Sequence, residues 1–295
     1  MDERESQIVL GIDPDPGALW PVATEGAGSP ADRAGSAILA HCRALIDASA
    51  EACVAIKLQL ARFEVLGAVG WSVLEALAEH ARQAGLLVIA DGKRGDIAVT
   101  AEAYAAAFLS GLETPFGRLA GVGADLVTVN PLMGRDAIEP FVVAARASGT
   151  GVLVLVRTSN PGAADIEDLR LHDGSSVWER LAALVDELAR PGVGASGISD
   201  VGAVVGATEP EHLQRARELM PSAPFLLPGV GAQGGAVEAL AAAFAPGRAG
   251  GLVSASRAIA GAHHALGGDP AEAARAEAER LRATAWELSR SAVGA

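Results

Sequence analysis

Leu86-Leu87-Val88-Ile89-Ala90-Asp91 is an aliphatic run of strand length that ends on a carboxylate, continues through Gly92-Lys93-Arg94-Gly95-Asp96-Ile97 and passes into the Ala-rich stretch Ala98–Leu109. Buried parallel strands read as such unbroken aliphatic runs, and the amphipathic stretch that follows is what covers them. The unit recurs along the chain. Candidate strands are Ile8–Asp13, Ala52–Leu58, Leu86–Asp91, Ala124–Asn130, Gly151–Arg157, Val201–Thr208, Pro224–Pro228 and Gly250–Ser254. Helices are expected at Ala31–Ala50, Val73–Ala84, Ala98–Leu109, Val177–Ala189 and Glu211–Leu219, with a long last one opened by the N-cap and N1 pair Asp269-Pro270. Eight strand–helix units in 295 residues fit one α/β domain over residues 1–295, a single (β/α)8 TIM barrel.

The Gly-rich turns favour the same answer over a doubly wound sheet. Gly229-Val230-Gly231-Ala232-Gln233-Gly234 satisfies the G-x-G-x-x-G pattern. A dinucleotide fingerprint, however, belongs at the first strand–helix turn with an acidic residue about 20 positions on, and here the pattern follows the seventh strand. What survives is local chemistry, because a Gly-rich turn lets backbone N–H groups approach an anion. The stretches Pro16–Pro30 and Asn160–Gly162 directly follow candidate strands, where loops of a barrel's catalytic face belong, and Gly162–Ser176 reads as an insertion.

Composition narrows the function. Half the residues are hydrophobic and 20% are charged, which supports a sizeable core. The formal net charge of −13 repels phosphate and anionic lipid, arguing against a nucleic-acid or membrane partner, so a phosphate ligand would have to be captured locally. Two cysteines, Cys42 and Cys53, supply neither a disulfide framework nor a multi-Cys zinc site. The acidic opening Met1-Asp2-Glu3-Arg4-Glu5 does not read as a secretory signal, and the apolar runs fall far short of a membrane span, so a cytoplasmic location is expected.

The sharpest signal is the use of lysine. Of 23 basic residues only Lys57 and Lys93 are lysine, and both lie at the C-terminal ends of candidate strands, where barrel enzymes place their chemistry. A compact ammonium can donate a proton where a guanidinium cannot. Alternation along an extended strand end puts Asp91 and Lys93 on one side, and Asp13 and Lys57 arrive at the same mouth from the first two strands. Neighbouring carboxylates favour a protonated lysine, which suits a general acid better than a Schiff-base nucleophile. Exposed lysines surviving by chance, or a purely structural ion-pair ladder, are the alternatives. At the far side, Gly231 and Gln233 after the seventh strand and Arg257 after the eighth resemble a phosphate cradle, although Arg257 alone could equally be a surface helix residue. Asn130 could reach the mouth from the fourth strand, and Arg157 could line the rim or form a structural pair. The adjacent His263 and His264 point about 100° apart on a helix and make a poor metal site.

These pieces together resemble the orotidine 5'-phosphate decarboxylase family, particularly its longer bacterial branch. The motif Asp91-x-Lys93-x-x-Asp96-Ile97 is the specific mark, joined by Gly11-Ile12-Asp13-Pro14, Thr128-Val129-Asn130-Pro131, Thr158-Ser159-Asn160-Pro161-Gly162 and the run Pro228 to Gly234. The resemblance implies a cofactor-free, metal-free lyase that converts orotidine 5'-monophosphate to uridine 5'-monophosphate and CO2, with Lys93 as proton donor. By the same carry-over, Asp91 faces the substrate carboxylate, and Lys57 contacts ribose and orders the charged array. Asp13 accepts from a ribose hydroxyl, Ser159 touches the pyrimidine, and Gln233 with Arg257 grips the phosphate. Asp96, Ile97 and Thr100 would come from the partner subunit of a homodimer. Gly92 stands where the long branch usually has Ala, and Leu58-Gln59-Leu60 stands where Pro-containing variants are common; neither removes a charged role. A Mg2+-dependent sugar-phosphate lyase of the same barrel type is similar through Asp-x-Lys-x-x-Asp, but that group carries an acidic metal ligand on the second strand, where this chain has Lys57. A Schiff-base aldolase and an inactive nucleotide-binding barrel are further alternatives.

Overall fold

Ten strands form in chain order: β1 Ile8–Ile12, β2 Ala55–Gln59, β3 Leu87–Arg94, β4 Leu112–Thr114, β5 Gly117–Leu119, β6 Leu126–Val129, β7 Gly151–Arg157, β8 Val201–Val205, β9 Phe225–Leu227 and β10 Gly251–Ala255. Eight of them close into a parallel barrel in the order β1-β10-β9-β8-β7-β6-β3-β2, while β4 and β5 make a separate antiparallel hairpin. The helices are α1 Pro30–Ser49, α2 Ala61–Glu64, α3 Ala68–Gln83, α4 Ala98–Ala105, α5 Arg135–Ser148, α6 Val177–Ala189, α7 Pro210–Leu219, α8 Arg257–Ala260, α9 His263–Leu266 and α10 Pro270–Ala292. This computed structural model describes residues 1–230, 234–245 and 247–292. The expected (β/α)8 barrel is the observed fold.

The period of two along each strand builds two cores at once. Val9, Ala55, Ile89, Leu153, Val204, Leu226 and Leu252 point inward and plug the barrel. Their chain neighbours Ile8, Leu10, Ile56, Leu58, Val88, Ala90, Val152 and Val154 point outward and pack beneath the helices. Helix ends follow local chemistry: Ser29 caps α1 in a box with Asp32, with Pro30 in the first turn, and Ser176 caps α6 in a box with Glu179.

Three features depart from the pattern expected of the sequence, each for a physical reason. Helix α5 lacks a clear sequence signal, because Pro140 sits in its interior and reads as a breaker. Helix α4 ends at Ala105 and continues as a π turn over Ala106–Ser110 before the unanticipated β4–β5 hairpin. Between β9 and β10 the described residues hold only short 3-10 turns, Val237–Ala239 and Ala241–Phe244 among them, in place of a regular helix.

Arg217 of α7 ties that irregular segment down. Its Nη1 donates to the carbonyls of Met220 (2.9 Å) and Ala223 (2.8 Å), and its Nη2 to those of Ala243 (2.7 Å) and Gly250 (3.0 Å). The guanidinium also lies over the Phe225 ring, 3.8 Å from its centre. Burial brings its pKa down to about 9. One side chain thus satisfies carbonyls on both sides of β9, those of Ala243 and Gly250 in the segment that lacks a regular helix. Replacing it by Met leaves those buried carbonyls unpaired, so Arg217→Met should cost about 3 kcal/mol of unfolding free energy in chemical denaturation, well above a typical surface change. A loss of under about 0.5 kcal/mol would mean that the guanidinium is incidental.

Candidate active site

The inward series that fills the barrel with aliphatic side chains at its lower end turns polar at its upper end. Ala55 is followed by Lys57 and Gln59, Ile89 by Asp91, and Leu252 by Ser254. With Asp13, Lys93, Leu155, Thr158, Ser159, Asn160, Val204, Leu226, Pro228, Gly229, Val230, Ser256 and Arg257 these line a cavity of about 350 Å³ at the C-terminal mouth. The lining carries three cations, Lys57, Lys93 and Arg257, against two carboxylates, Asp13 and Asp91. In a chain of net charge −13 the lining is therefore locally net positive.

Asp91 is the hub. Its Oδ2 accepts from Lys57 Nζ at 2.7 Å and its Oδ1 from Lys93 Nζ at 2.6 Å. Thr128 Oγ1 donates to Oδ1 at 2.9 Å, and Gln59 Nε2 lies 3.4 Å from Oδ2. Burial alone pushes the Asp91 carboxyl up, but the two ammonium groups and their hydrogen bonds prevail and bring it down to about 2. The carboxylate is therefore permanently charged near neutral pH, and it holds the two lysines as fixed ammonium neighbours.

Backbone irregularity at Lys93 aims its side chain. The register of β3 against β6 shifts between Ala90 and Arg94, and Lys93 takes a left-handed φ of 48°. A non-glycine residue there stores about 1 kcal/mol or more of strain. Lys93 N donates to Thr128 Oγ1 at 2.9 Å, so one hydroxyl braces both the strained amide and the Asp91 carboxylate. The Lys93 side chain keeps 42% of its surface exposed, open to the cavity, whereas Lys57 is buried.

Asp13, directly after β1 and beside the strand that carries Lys57, accepts a hydrogen bond from Ser256 Oγ, the residue before Arg257. Gly11 is required beneath them, because a Cβ there would collide with the Ser256 side chain.

The cavity thus gathers Asp13, Lys57, Asp91, Lys93, Ser159, Pro228 and Arg257 from the expected set. Asn130 does not join them: it is exposed beyond the end of β6, and its Oδ1 accepts from Leu132 N at 3.0 Å. Asp96, Ile97 and Thr100 also lie outside the lining, on the turn into α4, where Asp96 Oδ1 accepts from Ile97 N at 2.8 Å. Gly231 and Gln233 lie outside the described residues. Arg157 does not face the cavity either, since a second register shift, in β7 between Leu155 and Arg157, takes it out of the inward series. Thr128, Gln59 and Ser256 hydrogen-bond the site carboxylates Asp91 and Asp13, contacts that sequence reasoning misses. Strand parity is the signal that could find Gln59, whereas the other two depend on long-range packing. Among the described residues no group of three or more His, Cys, Asp or Glu is placed to hold a metal ion, and no helix is long and apolar enough to cross a membrane.

Comparison with known proteins gives a consistent answer. The sequence model described as the orotidine 5'-phosphate decarboxylase / HUMPS family matches residues 7–276. A relative from Rhodopirellula baltica named orotidine 5'-phosphate decarboxylase is 44% identical over 235 residues, covering 79% of this chain and 76% of the relative. One of the same name from Deinococcus radiodurans is 41% identical over 257 residues, covering 87% and 84%. The solved structure of Leishmania donovani OMP decarboxylase superposes with a TM-score of 0.68 at 31% identity, covering 96% of each chain. With a match across most of its length and its barrel reproduced, the chain belongs to the orotidine 5'-phosphate decarboxylase / HUMPS family.

Proposed function

We propose that this chain decarboxylates orotidine 5'-monophosphate to uridine 5'-monophosphate, the UMP-forming step of pyrimidine biosynthesis, in the cytoplasm. The observation that carries this reading is the Lys57–Asp91–Lys93 ladder in the barrel mouth, with Arg257 across the same cavity. The names of the relatives support it.

Breaking the C6–CO2 bond leaves an electron pair on C6, in the plane of the ring, where delocalisation is poor. Stabilisation has to be electrostatic. The Lys93 ammonium meets the developing charge and passes its proton to C6, and solvent then reprotonates the amine. One unit-charge pair at ~4 Å with an effective dielectric near 20 is worth about 4 kcal/mol, or roughly three powers of ten in rate. Several preorganised contributions must therefore act together. Asp91 lies beside the departing carboxylate and fixes both ammonium groups. Lys57 and Asp13 hold ribose, Ser159 the pyrimidine, and Arg257 the phosphate, whose binding energy serves the chemical step from a distance. Gln233 completes the phosphate grip, and Pro228 shapes the wall beside it.

The site is completed across a homodimer. Asp96, Ile97 and Thr100 belong to the turn and first helical residues beside their own mouth, with Ile97 and Val99 50% and 75% exposed, so a second copy has an apolar face to cover. Asp96 and Thr100 then reach the neighbour's ribose. The Mg2+-dependent alternative is disfavoured by Lys57, whose ammonium sits 2.7 Å from Asp91, where a dication would meet like charge.

Lys93→Ala should lower turnover by at least about a thousandfold in an ultraviolet absorbance assay with orotidine 5'-monophosphate while leaving product binding measurable, and an unchanged rate would defeat the reading. Lys93→Ala and Asp96→Ala chains are each expected to be inactive alone. Mixed in equal amounts and allowed to exchange, they should regain about a quarter of wild-type sites, because one mouth per mixed dimer is intact. The depressed Asp91 pKa gives a stability signature as well. The folded value of about 2 lies below the ordinary 3.8, so its contribution is complete above about pH 4 and is lost as pH falls through 2. The unfolding free energy of wild type minus that of Asp91→Asn should therefore shrink between about pH 4 and pH 2; a flat difference would contradict the assignment.

A further inference from the structure

The insertion over 162–176 ends in a cluster of charged side chains that the reaction does not use, built directly behind the loop Thr158-Ser159-Asn160. Arg157, buried at the end of β7, donates through Nε to Asp168 Oδ1 at 2.9 Å and through Nη2 to Asp168 Oδ2 at 3.0 Å, a two-pronged pair. Its Nη2 also lies 3.4 Å from Glu209 Oε1 at the start of α7, and its Nη1 donates to the Thr158 carbonyl at 2.5 Å. Glu167 grips the same residue from the other side: its Oε2 accepts from Thr158 N at 2.8 Å and its Oε1 from Thr158 Oγ1 at 3.0 Å. Thr158 Oγ1 in turn lies 2.7 Å from Asn160 Oδ1. The insertion is anchored to α6 by Trp178 N donating to the Glu167 carbonyl at 2.9 Å and Val177 N to that of Leu169 at 3.0 Å. The loop is backed by Gly206 after β8, where a Cβ would lie 2.9 Å from Ser159 Cα.

We infer that Glu167 and Arg157 are positioning residues that hold the Thr158–Ser159–Asn160 loop at the height where it meets the base of the bound nucleotide. They act through Thr158 and touch no ligand. The inference rests on the nucleotide reading given above, and it gives the insertion a role, that of bringing a carboxylate to the back of the base-contacting loop. Every backbone polar group of Thr158 is taken by this clamp, so the loop cannot shift without breaking charge-assisted hydrogen bonds. Because the clamp sits behind the base and away from Arg257, its loss should be felt by ligands that carry a base and not by those that carry only sugar and phosphate.

The test compares uridine 5'-monophosphate and ribose 5-phosphate binding by calorimetry in wild type, Glu167→Ala, Thr158→Val and the double variant, with melting temperatures measured alongside. Glu167→Ala should weaken uridine 5'-monophosphate binding about tenfold, leave ribose 5-phosphate within about twofold, and raise KM more than it lowers kcat. The double variant should fall well short of the product of the two single effects, as residues acting through one contact do. Glu167→Asp should recover part of the loss. Equal weakening of both ligands, a lowered melting temperature with unchanged affinities, or independent effects in the double variant would overturn the inference. A wild-type protein that neither binds uridine 5'-monophosphate nor turns over its 6-carboxylated precursor would instead overturn the functional reading beneath it.

Discussion

One buried carboxylate organises the molecule's chemistry. Asp91 lies between the ammonium groups of Lys57 and Lys93, and its charge is what allows two cations to stand in one barrel mouth. Without it the pair would repel, and the buried Lys57 would carry the full cost of an unpaired charge. With it, the mouth keeps a fixed electric field that no reorganisation of solvent has to create at the moment of reaction, which is the condition under which electrostatic catalysis is strongest. Thr128 contributes by bracing the carboxylate and the strained Lys93 amide with a single hydroxyl.

The barrel supplies this arrangement through strand parity. Positions that point inward near the bottom are Val9, Ala55, Ile89 and Leu252, and the same parity carried upward presents Lys57, Asp91 and Ser254. A packed apolar plug below and a charged ring above are therefore two stretches of the same alternation. Two strands depart from ideal register at the mouth. The β3 shift falls at Lys93, which alternation already sets on the side of Asp91, and the β7 shift withdraws Arg157 into the clamp behind the loop.

The same logic explains what could be read from sequence. Eight aliphatic runs and two lysines surviving in an arginine-rich chain are enough to place Lys57, Asp91 and Lys93 in one mouth, because both signals are local. Alternation also places Asp91 and Lys93 together, although a left-handed residue and a bulge complete the approach where an ideal strand is assumed. Asn130, expected near the mouth, stands outside it, because β6 ends at Val129 and the chain turns away. The roles of Thr128, Ser256 and Arg217 are hidden, since each depends on partners 35 or more, 243, and up to 33 residues away in sequence. A short-range pattern also cannot show that Arg217 would bond carbonyls on both sides of β9, or that Pro140 would be tolerated inside α5.

The account is tested most directly by a crystal structure of the protein with uridine 5'-monophosphate bound. It predicts Lys93 Nζ within about 3.5 Å of C6 while still hydrogen-bonded to Asp91, the separation that proton transfer requires. A bound base whose C6 faces another donor, with Lys93 Nζ turned to solvent, would contradict it.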